Sequence, residues 1–139
     1  MWLSLKNAAV LCAELANQLS KLDADHQEVY ATNATAYIEK ISALDVKYQE
    51  AVEAAKVKTV LFGDRFPFRY LVDDYGLSYY AAFVGCSAET EASFETVVFL
   101  AKKVDQLGLN AVLTIESGDG KIARTIIENT AAKSAQVLQ

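Results

Sequence analysis

Several kinds of chemistry are excluded by what this 139-residue sequence lacks. Its one histidine, His26, lies far in sequence from every expected strand end, and without a second His or a paired Cys neither a Ser/Cys–His hydrolase nor a self-contained zinc site is credible. Its two cysteines, Cys12 and Cys86, make no disulfide framework and have no metal-ligand spacing. Both lie in apolar surroundings, Ala-Val-Leu-Cys-Ala and Phe-Val-Gly-Cys-Ser, and read as thiols used as small hydrophobes. Basic charge is in deficit: 13 Lys and Arg face 18 Asp and Glu, a net charge of -5. With no local Lys/Arg run, the footprint of a nucleic-acid binder is missing. There is no GxGxxG or P-loop, no uncharged apolar run of ~18 residues, no internal repeat, and no basic stretch before the opening apolar residues. What is present is 53% hydrophobic and 22% charged residues, enough apolar material for a packed core.

The first 57 residues read as helix. Ala8, Leu11, Leu15 and Leu19 recur at helical spacing behind Ser4, a plausible N-cap. Asp23-Ala24-Asp25 breaks the pattern. Asp25, with Glu28 three residues on, has capping-box spacing for the next helix. From His26 to Lys56 there is neither Gly nor Pro, and apolar residues from Tyr30 to Ala55 predict one amphipathic helix of ~45 Å at about 1.5 Å per residue. The stripe carries no sustained heptad with opposed charges, so a spine is favoured over a coiled coil. His26 itself reads as a solvent-facing residue of the first turn.

Residues 58–139 change texture. Strands are expected at 58–62, 78–84, 111–115 and 135–138, and helices at 66–75, 93–107 and 120–131, with glycines at the joins. The nearly unbroken apolar runs at 59–62 and 111–115 suit strands covered on both faces. The fold class expected is therefore α/β: a three-layer lobe with a four-stranded, mainly parallel sheet, preceded by a long backbone helix. The chain starts at a loop-to-helix junction and stops on its last strand, which suggests a piece of a larger protein.

In such a sheet, ligands bind beyond the carboxyl ends of the strands. Three strand ends carry polar groups. Phe62-Gly63-Asp64-Arg65-Phe66-Pro67 places an acid beside the only proline, and Asp64 reads either as the cap of the following helix or as an oxygen ligand. Cys86–Ser93 holds Glu89 and Glu91 and reads as an acidic loop with Ser93 as a helix cap. Glu116-Ser117-Gly118-Asp119-Gly120 offers Asp119, a turn residue and cap by default and an oxygen ligand in context. Tyr79, Tyr80, Phe83, Phe66 and Phe68 read as core and crevice wall.

The order of elements resembles a known group. Trp2-Leu3-Ser4-Leu5-Lys6-Asn7-Ala8 is similar to the His-x-Trp-Leu-Ser-x-x-Asn-Ala segment of the ZnuA-like (cluster A-I) zinc- and manganese-binding solute-binding proteins of ABC importers. Tyr70-Leu71…Tyr75-Gly76-Leu77, the loop 86–93 and the Ile115–Asp119 turn are similar to that family's second lobe. The resemblance implies a two-lobe receptor joined by the backbone helix, with residues 58–139 as the C-terminal lobe. It implies no enzyme activity but capture of Zn²⁺ or Mn²⁺, delivery to an ABC permease membrane subunit, and an extracytoplasmic location, periplasmic or as a cell-surface lipoprotein. Of the family's four ligands, the two upstream histidines have no counterpart here. The third falls on Asp64 counted from the strand, or on Arg65 counted back from Tyr75, and Asp64 is favoured because Arg cannot ligate a cation. The late Asp matches Asp119. This chain alone should then bind metal weakly or not at all, lack its N-terminal lobe, and self-associate through the bared inter-lobe face. The competing reading is an intracellular interaction or receiver-like domain, against which stands the absence of a cluster of acids after the first strand.

Overall fold

The computed structural model describes residues 3–83, 92–116 and 118–139. The chain divides into two compact units, residues 1–55 with 73–75, and residues 56–72 with 76–139.

The first unit is a helical hairpin. Helix α1 spans Leu5–Leu22, and its Ser4 cap is as the sequence predicts: the Ser4 hydroxyl accepts the Asn7 N–H at 3.0 Å. A 3-10 turn at Ala24–His26 leads into α2, Gln27–Ala54, which at 28 residues is ~42 Å long. The expected Asp25–Glu28 capping box is not formed. The N-cap of α2 is His26, which makes no capping side-chain bond. Asp23 serves the turn instead, accepting from His26 Nδ1 at 2.9 Å and from the Tyr30 hydroxyl at 2.7 Å. Those donors, His26 foremost, hold the Asp23 carboxyl below its ordinary range. His26 is exposed, as expected. α1 has no buried residue and α2 has only Ile41.

Residues 73–75 complete this unit. Ser4 donates its hydroxyl to Asp74 Oδ2 at 2.5 Å, and Lys6 Nζ donates to the Asp74 carbonyl at 3.2 Å. The buried Tyr75 ring stacks on Tyr48 with 5.5 Å between centroids, and its hydroxyl donates to Asp45 Oδ1 at 2.7 Å. Burial first, and the Asp45 hydrogen bond second, push the Tyr75 phenol well above its usual range.

The second unit is the α/β lobe. Strands β1 (Thr59–Phe62), β2 (Ser78–Ala81), β3 (Ala111–Leu113) and β4 (Gln136–Leu138) form one sheet in the order β2-β1-β3-β4. Every pairing is parallel, including Val60↔Tyr79, Phe62↔Leu113 and Val112↔Val137. Alternation along the strands splits the core. Leu61 and Val112 face helices α4 (Phe94–Leu107) and α5 (Lys121–Glu128), packing with Leu100, Val104, Ala123 and Ile126. Phe62 turns the other way, onto Phe66 and onto Val72 of helix α3, Arg69–Asp74. The three-layer α/β lobe is thus present.

Where boundaries differ, the causes are local. The helix expected from Phe66 starts at Arg69, because the residue before Pro67 is pushed toward extended backbone. The helix expected to reach Ala131 stops at Glu128, where Asn129 Nδ2 and Thr130 Oγ1 bond the Thr125 and Ile127 carbonyls. The second strand stops at Ala81; residue 84, its expected end, lies outside the described residues, as do Glu89, Glu91 and Cys86. Ser93 caps α4 as predicted, accepting the Thr96 N–H at 3.1 Å. Among the described residues, no helix is long and apolar enough to cross a membrane.

Candidate metal centre

Strand order fixes where a ligand would sit. From β1 the chain moves outward to β2 on one side, and β3 and β4 fill the other, so the order reverses between β1 and β3. The crevice beyond the carboxyl ends of those two strands is the topological switch point. Their last residues, Phe62 and Leu113, are paired, and Gly63 N–H extends the ladder to the Leu113 carbonyl at 2.9 Å. Gly63 is a close-approach glycine: a Cβ there would lie 2.5 Å from the Ala123 Cα, so its absence lets α5 pack against the end of β1.

Asp64 follows at once, half-buried. It does not cap the helix ahead. Its Oδ1 accepts the Arg65 N–H at 2.7 Å, and its Oδ2 accepts the Ile115 N–H at 3.3 Å from the loop after β3. The carboxylate therefore bridges the two strand ends, and the pull on the Ile115 amide accounts for β3 ending at Leu113 rather than at residue 115. Each oxygen keeps acceptor capacity beyond its one N–H.

Asp119 belongs to the same rim. Gly118 N–H closes a tight turn onto the Ile115 carbonyl at 2.9 Å, and Asp119 comes next in the chain. Its Oδ1 accepts the Lys121 N–H at 2.8 Å, as a turn residue ahead of a helix does, and its carbonyl accepts from Arg124 Nη2 at 2.6 Å. Asp119 is exposed, and its side chain has room for a further partner.

The two loops named from sequence thus leave adjacent strands. Arg65 contributes its backbone N–H to Asp64. Phe62, Phe66, Phe68 and Tyr79 form one aromatic cluster beside the β1 end, with the Phe66 and Tyr79 rings stacked at 3.8 Å and 8°. Sequence reasoning missed the Asp64–Ile115 bond, which spans 51 positions and has no local signal. Chemically, the arrangement offers hard carboxylate oxygens suited to a divalent cation but too few ligands to enclose one. Among the described residues, no group of three or more His, Cys, Asp or Glu is placed to hold a metal ion.

Comparison with known proteins gives a consistent neighbourhood. A family model described as ZnuA, zinc-uptake complex component A, periplasmic, matches residues 1–139. The zinc-binding protein AdcA of Streptococcus pyogenes serotype M1 is 29% identical over 135 residues, covering 97% of this chain and 26% of its own length. The zinc-binding lipoprotein AdcA of Streptococcus pneumoniae serotype 4 is 31% identical over 134 residues, covering 96% and 26%. The crystal structure of Streptococcus pneumoniae AdcAII superposes with a TM-score of 0.77 at 27% identity, covering 99% of this chain and 51% of that one. The chain therefore spans about a quarter of the curated relatives' length and about half of that solved chain. The receiver-like alternative has no counterpart among these relatives.

Proposed function

Because the chain belongs to the ZnuA family of zinc-uptake components, we propose that it is the carboxyl-terminal part of an extracytoplasmic receptor that captures a divalent metal for an ABC importer. Residues 58–139 form its C-terminal α/β lobe, and residues 1–57 carry the backbone helix that joins this lobe to an N-terminal one. The single observation carrying the reading is that Asp64 and Asp119 lie on loops leaving the two strands that flank the switch point. Asp64 is fixed by backbone N–H groups and Asp119 stands at the open rim, so the two would supply oxygen ligands to the cargo ion. The remaining ligands, two histidines in the family pattern, would come from residues upstream.

Zinc is the favoured cargo, since the relatives are zinc-binding by name; an all-carboxylate half-site would also suit Mn²⁺. The lobe acts by binding, not catalysis. Ligands must be deprotonated to bind the ion, so capture weakens as pH falls and protons compete. The receptor would work outside the cytoplasm and hand its ion to the membrane permease.

The missing lobe would cover the apolar side of the helical hairpin. Cys12, Leu15 and Leu19 of α1 and Tyr30, Ala34 and Tyr37 of α2 line an open groove there of about 340 Å³. Without that lobe, copies of the chain would associate through this face. The reading is tested in a chain that carries the upstream half. Asp64→Ala and Asp119→Ala should each weaken Zn²⁺ binding in a calorimetric titration, and an affinity unchanged by both would reject the site.

A further inference from the structure

The surroundings of Gly118 give a reason for glycine at that position. A Cβ on Gly118 would overlap Asp64 Oδ2 outright and lie 3.3 Å from Asp64 Cγ.

We propose that Gly118 is a positioning residue for the Asp64 carboxylate. Its bare Cα is what allows Oδ2 to reach across from the loop after β1 to the Ile115 N–H. That bond is already 3.3 Å long, so any outward push by a side chain at 118 breaks it and leaves the Ile115 amide without its acceptor. The same push moves Asp64 relative to Asp119, which adjoins Gly118. Where the two carboxylates share a cation, as in the function proposed above, a side chain at 118 separates them. Gly118 thereby tunes the site without touching the ion, as outer-shell partners do. Gly63 differs: its Cβ would strike the backbone of Ala123, so it serves packing and not the carboxylate.

A double-mutant cycle on the 139-residue chain tests this, using Gly118→Ala, Asp64→Ala and the pair. The readouts are urea unfolding and broadening of the Arg65 and 118–121 amide signals by added Mn²⁺. Gly118→Ala should lower the urea midpoint in the parent chain and much less in the Asp64→Ala background. The residual approach to the Ile115 carbonyl, 3.1 Å, is common to both backgrounds and cancels. Gly118→Ala should also raise the Mn²⁺ concentration for half-broadening by about 10–100-fold. If Gly118→Ala alone does not fold, the double variant should, and its failure to do so overturns the proposal. Additive destabilisation, or an unchanged Mn²⁺ midpoint, overturns it too. Absence of Mn²⁺ broadening in the parent, with the stability cycle still coupled, rejects the metal reading and upholds the positioning of Asp64.

Discussion

The helical hairpin and the α/β lobe are built from similar proportions of apolar residues but use them in opposite ways. In the lobe, Leu61, Val72, Leu100, Val112 and Ile126 are almost wholly out of water, on both faces of a sheet that helices cover. In the hairpin, Leu15 is 63% exposed, Leu22 85%, Val10 68% and Tyr37 56%. Two helices make one layer contact and leave their outer stripes to water, whereas a stable domain needs a second covered layer. The lobe is thus self-sufficient in its packing, and the hairpin holds its form with polar clasps: Ser4 with Asp74, Asp23 with His26 and Tyr30, Asp45 with Tyr75. An apolar surface that a monomer leaves open on this scale marks a place for another surface.

That contrast can be broken by substitution. The largest effect belongs to the lobe core. Leu100→Ala should cost about 2–5 kcal/mol in urea unfolding followed by circular dichroism, since Leu100 is 1% exposed. A loss below that range would mean the lobe core is not the packed unit described. A middle effect is expected at the hairpin's clasp, where Tyr75→Phe removes the hydroxyl given to Asp45 and should cost about 1 kcal/mol. The pH dependence has a definite sign. Folding raises the Tyr75 pKa, so the folded form binds its proton more tightly, and the stabilisation is complete below the unfolded value near ~10 and lost as pH rises above it. Tyr75→Phe should flatten that alkaline loss; an identical slope in both proteins would contradict the clasp. The smallest effect is at the open stripe. Leu15→Gln should change stability by no more than about 0.5 kcal/mol, because its side chain is already in water. It should, however, reduce self-association in sedimentation velocity, and a chain that is monomeric before the change would count against the bared face.

Much of the fold was legible because its signals are local. Ser4 and Ser93 cap the helices they precede, Gly108 ends α4 in the left-handed conformation, and apolar runs at 59–62 and 111–113 become the central strands. The long helix followed from a stretch without Gly or Pro. The misreadings share a different origin. Asp23 rather than Asp25 serves the α1–α2 turn, its carboxylate accepting from His26 and from Tyr30 in the first turn of α2. Pro67 delayed α3 by acting on the residue before it, a constraint the helical period alone does not express. At the candidate centre, the residue types and the strand ends were readable, since β-rich runs end where Asp64 and the Asp119 turn begin. The bridge from Asp64 to Ile115 and the need for Gly118 were not, because both arise only when β1 and β3 lie side by side.

We infer that Asp64 and Asp119 are the carboxylate part of a metal site whose other ligands lie outside these 139 residues. Calorimetric titration of the 139-residue chain with Zn²⁺ at neutral pH tests it most directly. The account predicts weak binding or no measurable heat, and a sub-micromolar affinity would contradict it.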